Sequence, residues 1–348
     1  MTQRRVITES FDLYPNDTTA AGYGLFSTWA ATGTSYNSSP NLVTGRFAGS
    51  RGVNLQGSAC LARPVPSTLM AAVGFGVKRG LITGVTHPIF QFISSIGNSQ
   101  LALYADDIGR LIIYRGATPI ATADDVCLIN NTWHYVEIEM YLHDSAGICN
   151  VYLDGVAVNG LAFIGDTRNS SDLDIGRIQL MSDTSVFAPA YTLAFDDMYV
   201  EVDGHTRVGE GRMDVMVPNT DVTTTGWTQS TGATIWGVLD EKPVSIADYA
   251  SGITAGDFIR MGATDLVYAP EHVFGVQIES LSTKNEAGTR ILRNKLWGVT
   301  LGLDGADRAQ TLDTYTWGRD WFPHEPDLGA VWTLSELTTA EIGVEIVT

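Results

Sequence analysis

The chain has 348 residues, of which 44% are hydrophobic and 17% are charged. It is long enough for two domains with cores of their own, and its apolar and aromatic content argues against intrinsic disorder. The formal net charge of −18 argues against nucleic acid and anionic membrane surfaces as partners, because both repel a strongly acidic protein.

The cysteines and the N-terminus point to a reducing compartment. Cys60, Cys127 and Cys149 are odd in number and far apart, so we expect reduced core residues rather than a disulfide framework or a zinc site. No apolar run follows Arg4 and Arg5, and no stretch approaches the length of a membrane span. We therefore expect synthesis and folding in a cytoplasm, with no membrane insertion.

Hydrophobic alternation with a period of two dominates the first half of the chain and predicts strands. In chain order these are residues 4–13, 69–77, 89–94, 101–105, 110–115, 133–142, 148–153, 175–181 and 191–202. Ile108-Gly109 and Asp154-Gly155 predict hairpin turns, since glycine readily takes a positive φ. Short strands without intervening helices predict an antiparallel β-sandwich for residues 1–203.

The second half, residues 204–348, is predicted to form a smaller β-sandwich. Its predicted strands are residues 212–217, 257–261, 272–280, 290–296, 313–321 and 344–347, with a polar stretch at 218–234. Thr333 and Glu336 predict a capping box at the start of one short helix. We expect Gly343 to end that helix, and its inner side to carry Leu334, Leu337 and Ile342.

Two stretches resemble the central hairpin of concanavalin A-like and laminin-G-like sandwiches. They are WHYVEI at 133–138 and VYLDGV at 151–156. ESFDLY at 9–14 and FDDMYV at 195–200 fit the same fold, whose first and last strands lie side by side. The resemblance implies a jelly-roll sandwich for residues 1–203.

A longer series of motifs resembles uncharacterised structural proteins of tailed bacteriophages and related prophage or gene-transfer particles. The motifs are DDMYV at 196–200, GRMDV at 211–215, GWTQSTG at 226–232, VLDE at 238–241, KNEAGTR at 284–290, VWT at 331–333 and IGV at 342–344. The chain departs from the family pattern at Gly211, where an acidic residue is common, and at Asn285-Glu286, which replace an aspartate. The resemblance implies a non-enzymatic virion component of the tail, baseplate or head surface, assembled in the bacterial cytoplasm.

One face of the predicted strand at 133–142 carries the best candidate binding residues. These four side chains are Tyr135, Glu137, Glu139 and Tyr141. Tyrosines and carboxylates can hold a sugar by stacking and hydrogen bonding, so a lectin-like module for host glycans is an alternative function. Alternatively, the face meets a partner chain.

A glycoside hydrolase that uses Glu137 and Glu139 is a third hypothesis. Residues two apart on a strand lie about 6.5–7 Å apart, whereas a retaining pair of carboxyl groups lies about 5–5.5 Å apart. The run also lacks the third carboxylate that β-glucanases of this fold carry. We therefore expect no catalytic residues.

No transition-metal or cofactor motif is present in the sequence, so no cofactor is expected. Asp172 and Asp174 are the best candidate calcium ligands, with turn capping as the alternative. Six of the eight tryptophans lie in the second half, where most are expected in the core, while Trp317 and Trp321 are candidates for an interface. A virion component would bind other virion proteins, and family habit suggests a homo-oligomer, with a trimer as the guess.

Overall fold

The computed structural model of the protein describes residues 3–16, 24–32, 40–56, 59–81, 84–181, 192–266 and 268–348. Contacts between Cα atoms divide the chain into two units. The first consists of Met1–Phe11 and Trp29–Met213, and the second of Asp12–Thr28 and Asp214–Thr348. Among the described residues, no helix has the length and hydropathy needed to cross a membrane.

The described part of the first unit contains fifteen strands. They are β1 Arg4–Glu9, β2 Ala30–Thr32, β3 Asn41–Thr44, β4 Arg51–Gln56, β5 Cys60–Thr68, β6 Met70–Arg79, β7 His87–Ile93, β8 Ser99–Ala105, β9 Leu111–Arg115, β10 Thr118–Thr122, β11 Trp133–Tyr141, β12 Gly147–Leu153, β13 Val156–Gly165, β14 Ile175–Met181 and β15 Thr192–Val202.

These strands form two antiparallel sheets. The eight-stranded sheet has the order β13-β12-β11-β6-β15-β4-β3, with β1 paired to β15, and the seven-stranded sheet has the order β10-β9-β8-β7-β14-β5-β2. Between the sheets, the Phe75 ring of β6 stacks on Phe90 of β7 at 5.4 Å and contacts Phe195 of β15 at 5.8 Å. The pairing of β1 with β15 confirms that the first and last strands lie side by side.

The second unit contains ten strands and one α-helix among the described residues. They are β16 Pro218–Thr224, β17 Trp227–Gln229, β18 Ala250–Gly252, β19 Phe258–Ala263, β20 Val276–Ser282, β21 Ile291–Trp297, β22 Gly302–Asp304, β23 Arg308–Ala309, β24 Thr316–Phe322, α1 Leu334–Thr339 and β25 Glu341–Ile346. Short 3₁₀ turns lie at Leu25–Ser27 and Trp236–Val238.

A six-stranded sheet, β16-β19-β25-β21-β22 with β23 on β21, organises the second unit. Two apolar clusters pack on it. One joins Leu296 to Ile278, Phe322, Trp332, Leu337 and Ala340, and the other contains Ile235, Ile259 and Met261. The pairs β17-β18 and β20-β24 complete the unit. An all-β protein with antiparallel sheets and one short helix is therefore confirmed.

Several predicted boundaries in the second half are wrong. Residues 212–217 form no strand, although their apolar residues alternate, because they hydrogen-bond irregularly: the Val217 amide, for example, donates to Thr264 Oγ1. The polar stretch 218–234, in which no strand was predicted, contains β16 and β17. The predicted strand start at Tyr191 lies outside the described residues.

The capping box of the last helix is confirmed, but its predicted end is wrong. The Thr333 side chain accepts from the Glu336 amide, and the Glu336 carboxylate accepts from the Thr333 amide at 2.8 Å. The helix ends before Ala340, so Ile342 and Gly343 belong to β25 rather than to the helix. A side chain at Gly343 would collide with the backbone of β19 and with a tryptophan ring. Glycine is therefore needed here for sheet packing, and it does not end the helix.

Candidate functional site

The candidate site is the outer face of the eight-stranded sheet. Antiparallel register aligns its outward side chains in rows across neighbouring strands. One row contains Tyr152, Glu137, Gly74 and Tyr199; the next contains Asn150, Glu139, Ala72 and Glu201; a third contains Ile148, Tyr141 and Met70. The predicted face is therefore built from four strands.

Gly74 makes the centre of this face possible. A Cβ at this position would collide with the ring of Tyr199. Because that space is open, the Tyr199 hydroxyl extends across β6 and donates to Glu137 Oε1 at 2.7 Å. Burial, and then the charge of Glu137, raise the pKa of Tyr199, so the hydroxyl remains a neutral donor.

Residues 206–213 cover the centre of the face without regular secondary structure. We call them the covering segment. Four of its backbone amides donate to side chains of the sheet: Arg207 N to Glu139 Oε1 at 3.3 Å, Val208 N to the Tyr199 hydroxyl at 3.0 Å, Gly209 N to Glu137 Oε1 at 2.7 Å and Met213 N to Asp197 Oδ1 at 2.8 Å. These bonds place the segment in the first unit, beyond the boundary predicted at 203.

The covering segment also buries apolar surface. The side chains of Val208 and Met213 pack on a buried cluster formed by Ala72, Tyr135 and Tyr199. Tyr135 is 1% exposed, and its hydroxyl donates to the Asp197 carbonyl at 3.2 Å. Burial, followed by the charge of Asp197, raises the pKa of Tyr135, so it too remains protonated.

Arg207 is the anchor of the covering segment. Its Nη1 donates to Glu137 Oε2 at 2.8 Å, and its Nη2 donates to the Gly155 carbonyl at 3.3 Å. Its guanidinium carbon lies 4.2 Å from the centre of the Tyr152 ring, a cation–π distance. Burial disfavours the charge of Arg207, but the hydrogen bond and charge of Glu137, with smaller effects of Tyr152 and Glu139, together raise its pKa.

A bulge in β15 supports the other end of the covering segment. The bulge lies after Asp196, and Asp197 has a φ of 50°. Asp197 Oδ2 accepts from Arg46 Nη1 at 3.3 Å, and the same guanidinium nitrogen donates to the Gly211 carbonyl at 2.9 Å. Burial and the charge of Asp197 raise the pKa of Asp196 to about 8, against the hydrogen bonds that it accepts from backbone amides.

The third row of the face remains accessible beside the covered centre. The half-buried Tyr141 ring lies 6.4 Å from His205, with 27° between the ring planes, and 5.7 Å from His143. No residue in the described part of the chain hydrogen-bonds the Tyr141 hydroxyl. Beside it, Glu139 Oε2 accepts from Asn150 at 3.1 Å. We call Tyr141, Glu139, Asn150, His143 and His205 the open end of the face.

The four residues predicted on this face therefore divide into two pairs. Tyr135 and Glu137 are buried under the covering segment, whereas Glu139 and Tyr141 are half-buried. The expectation that all four are available to a glycan or a partner does not hold for the first pair. Glu137 is 0% exposed, so while the segment is in place its carboxylate cannot contact a sugar.

Asp172 and Asp174 accept hydrogen bonds from neighbouring loop and strand residues. Asp172 Oδ2 accepts from the Asn98 side chain at 2.8 Å, and Asp174 accepts from Ser67 Oγ at 2.9 Å and from the Ser95 amide at 3.2 Å. Within the described residues, no group of three or more His, Cys, Asp or Glu is arranged to hold a metal ion.

Trp317 and Trp321 lie on β24 and are half-buried. Trp317 Nε1 donates to Ser27 Oγ at 3.1 Å, and its ring packs edge-on against Tyr14 at 5.9 Å. The Trp321 ring occupies the space above Gly275, where a side chain would collide with it. Trp317 thus contacts the N-terminal segment of its own chain in the second unit.

The sequence interpretation missed Arg207, Arg46 and Tyr199. Tyr199 belongs to the outer face because the bulge changes which side chains of β15 point outward. Arg207 and Arg46 lie in stretches without strand periodicity, and a pattern of alternation gives no signal there.

No family model matches the chain, and no curated protein matches it. Solved structures do match. Domain 4 of AbnA, an extracellular arabinanase from Geobacillus stearothermophilus solved with arabinotriose, is 15% identical over 59% of this chain and 95% of that one, with a TM-score of 0.39. The alginate lyase vAL-1 from Chlorella virus is 14% identical over 57% of this chain and 100% of that one, with a TM-score of 0.40.

Trypanosoma rangeli sialidase is also similar, at 16% identity over 51% of this chain, with a TM-score of 0.35. The match spans 30% of the sialidase chain. All three solved structures are carbohydrate-active enzymes. Because every TM-score lies below 0.5, no activity or ligand is transferred from these proteins to this chain.

Proposed function

We propose that this chain is a non-catalytic glycan-binding protein, and that the open end of the outer face holds the sugar. The observation that carries the proposal is the accessible Tyr141 ring, near-parallel to the neighbouring His205 ring. Aromatic faces stack on the apolar faces of sugars, and the polar groups beside them fix the orientation.

The polar groups of the open end suit sugar hydroxyls. Glu139 provides carboxylate oxygens, and Asn150 provides an amide beside it. The Asn150 amide and the Tyr152 hydroxyl donate to Glu139 Oε2, and the Arg207 backbone amide donates to Glu139 Oε1, so the carboxylate has a fixed orientation. A ring platform with a fixed carboxylate is a small polar site rather than a deep pocket.

The burial of Glu137 supports the non-catalytic part of the proposal. Its carboxylate accepts from the Tyr199 hydroxyl, the Gly209 amide and Arg207, and it is 0% exposed. A glycosidase needs two carboxyl groups in contact with the scissile bond. With Glu137 engaged, the open end retains Glu139 alone of the predicted pair.

The test is glycan binding with a matched tyrosine control. The fluorescently labelled chain is screened against immobilised polysaccharides, and the best binder is measured by calorimetry. Tyr141→Ala should weaken binding about tenfold, the loss of one aromatic contact. Tyr114→Ala should bind normally, because Tyr114 is a half-buried tyrosine on the outer face of the other sheet, 4.3 Å from Tyr104.

Two outcomes contradict the proposal. If the wild-type chain retains no polysaccharide, or if Tyr141→Ala binds as well as wild type, the open end is not a glycan site. If the chain releases reducing sugar and Glu137→Gln abolishes that release, the non-catalytic part is wrong.

A structural role in a tailed-phage particle is a second candidate, which rests on the resemblance of the sequence motifs. A pair of loops in the second unit favours an assembly role. Val299, Leu301, Leu328 and Val331 are between 55% and 82% exposed. Contiguous exposed apolar side chains are typical of protein–protein contacts.

These apolar side chains are held in place by a carboxylate. Asp327 accepts from the backbone amides of Val299, Thr300 and Leu301 at 2.7–2.9 Å. The bonds tie the loop after β21 to the loop before α1, and they lower the pKa of Asp327 to about 2. Asp327 thus links the two loops that carry the exposed apolar side chains.

Absolute mass from light scattering tests the assembly role. A closed homo-oligomer, with a trimer as the specific expectation, should become monomeric in Val299→Ser/Leu328→Ser. A monomer at high concentration in the wild type, or an oligomer unchanged by the double substitution, would remove the support from this loop pair.

A further inference from the structure

We infer that the centre of the outer face is a peptide-binding groove that recognises an arginine side chain, and that the covering segment fills it in cis. The inference does not rest on glycan binding, because the arginine contacts Glu137, Gly155 and Tyr152, none of which belongs to the open end. The two sites share Glu139, which accepts from the Arg207 amide at 3.3 Å. The ligand class is an extended peptide that carries one arginine.

The pocket around Arg207 contacts its guanidinium from three directions. Glu137 accepts from one terminal nitrogen, the Gly155 carbonyl accepts from the other, and the Tyr152 ring lies over the guanidinium carbon. Arginine fits this arrangement because its planar fork offers several donors and stacks on aromatic rings. A lysine ammonium is a point charge and cannot make all three contacts in the same way.

The floor of the groove recognises peptide backbone as well. The acceptors for the amides of the covering segment are side chains, namely those of Tyr199, Glu137, Glu139 and Asp197. The segment is not part of the sheet ladder, and its own residues form no strand. An extended backbone held by side chains, together with one anchoring side chain, is how grooves bind linear peptides.

The floor of the groove is polar as well as apolar. Val208 and Met213 pack on it through apolar contacts. Beneath them lie a carboxylate that is 0% exposed and two buried tyrosines, all of which donate or accept hydrogen bonds. Burying a carboxylate is costly unless a specific partner neutralises it, and here the partner is the arginine.

Chemical rescue tests the arginine pocket in the full-length chain. Arg207→Ala leaves the Glu137 carboxylate without its cation, and ethylguanidinium has the shape of the missing group. At ten times its dissociation constant, ethylguanidinium should raise the melting temperature of this variant by about 3–5 °C. Ethylammonium at the same concentration and ionic strength should not.

The matched control is the double variant Arg207→Ala/Glu137→Gln, in which the pocket has lost its carboxylate. It should show no saturable rise with ethylguanidinium. An equal rise with both cations, no rise with either, or the same rise in the double variant would overturn the inference.

A peptide supplied in trans tests the groove as a whole. A labelled peptide with the sequence of residues 206–213 should bind Arg207→Ala at least tenfold more tightly than the same peptide with lysine in place of its first arginine, measured by fluorescence anisotropy. Equal affinity, or no binding of either peptide to the folded variant, would refute arginine recognition.

Hydrogen exchange of the wild-type chain keeps the inference testable if Arg207→Ala does not fold. A groove ligand held in cis should detach without unfolding of the sheet. The amides of Val208, Gly209 and Met213 should therefore exchange faster than the ladder amides of β11. Exchange of these three amides at the same rate as β11 would show a permanent part of the fold and would overturn the inference.

Discussion

Replacement of His87 by glutamine should make the stability of the first unit less sensitive to acid. The His87 side chain is 0% exposed at the start of β7. Burial, and then the charge of the nearby Arg79, lower its pKa from 6.5 to about 3, against smaller effects of Asp106 and a backbone group that raise it. Arg79 is itself buried, and its Nη1 donates to the Asp106 carbonyl at 2.9 Å.

The sign follows from the direction of the pKa shift. Above pH 6.5, His87 is neutral in both the folded and the unfolded chain, so it causes no loss of stability. As the pH falls from 6.5 towards 3, the unfolded chain takes up a proton that the folded chain refuses. Each pH unit in that window costs about 1.4 kcal/mol, which amounts to about 2.7 kcal/mol at pH 4.5.

The assay is urea unfolding of the wild type and His87→Gln at pH 7.5 and pH 4.5. The glutamine variant carries no titratable group at this position. The difference between the two proteins in the free energy of unfolding, taken at each pH, therefore cancels the titration of all other groups. The wild type should lose about 2.7 kcal/mol more than the variant between the two pH values. An equal loss in both proteins would mean that the folded protein accepts the proton on His87, and the reasoning from burial would be refuted.

Two further predictions concern the second unit. Thr333→Ala removes the side-chain acceptor of the capping box and should lower the free energy of unfolding, measured by urea titration, by about 1 kcal/mol. Thr338→Ala is the control inside the same helix, and equal effects of the two changes would contradict the capping role. Asp327→Ala removes the acceptor of three loop amides, so hydrogen exchange at residues 299–301 should accelerate, whereas exchange in β25 should not change. Unchanged exchange at residues 299–301 would show that other contacts order the loop.

Nine of the fifteen described strands of the first unit were predicted from apolar runs and alternation, whereas β2, β3, β4, β5, β10 and β13 were not. The strand predicted at 133–142 is observed at Trp133–Tyr141, and the turn at Asp154-Gly155 has positive φ angles of 49° and 81°. Both features are local: an alternating run defines a strand, and a residue pair defines a tight turn. Neither depends on what the rest of the chain does.

Parts of the second half were harder to predict because some of its strands lack an apolar face. β16 is Pro218–Thr224, and its threonine-rich sequence is half-buried or exposed along most of its length, so alternation gives no signal. Residues 212–217 alternate but form no strand, since side chains such as Thr264 accept their amides. Hydrophobic alternation therefore failed to predict the structure where hydrogen-bond partners outside the segment determine its backbone conformation.

The candidate site shows the same limit at the level of function. Alternation correctly placed Tyr135, Glu137, Glu139 and Tyr141 on one face, yet it could not tell whether that face meets water or other residues of the same chain. The answer lies in residues 206–213, which have no period and therefore no signature. What the sequence did contain was an unexplained pair of carboxylates on a strand with aromatic neighbours. The buried Glu137 carboxylate is paired with a cation, and in this fold the cation comes from the covering segment. The same physical requirement that selects Arg207 in cis would select an arginine in any peptide that displaced it.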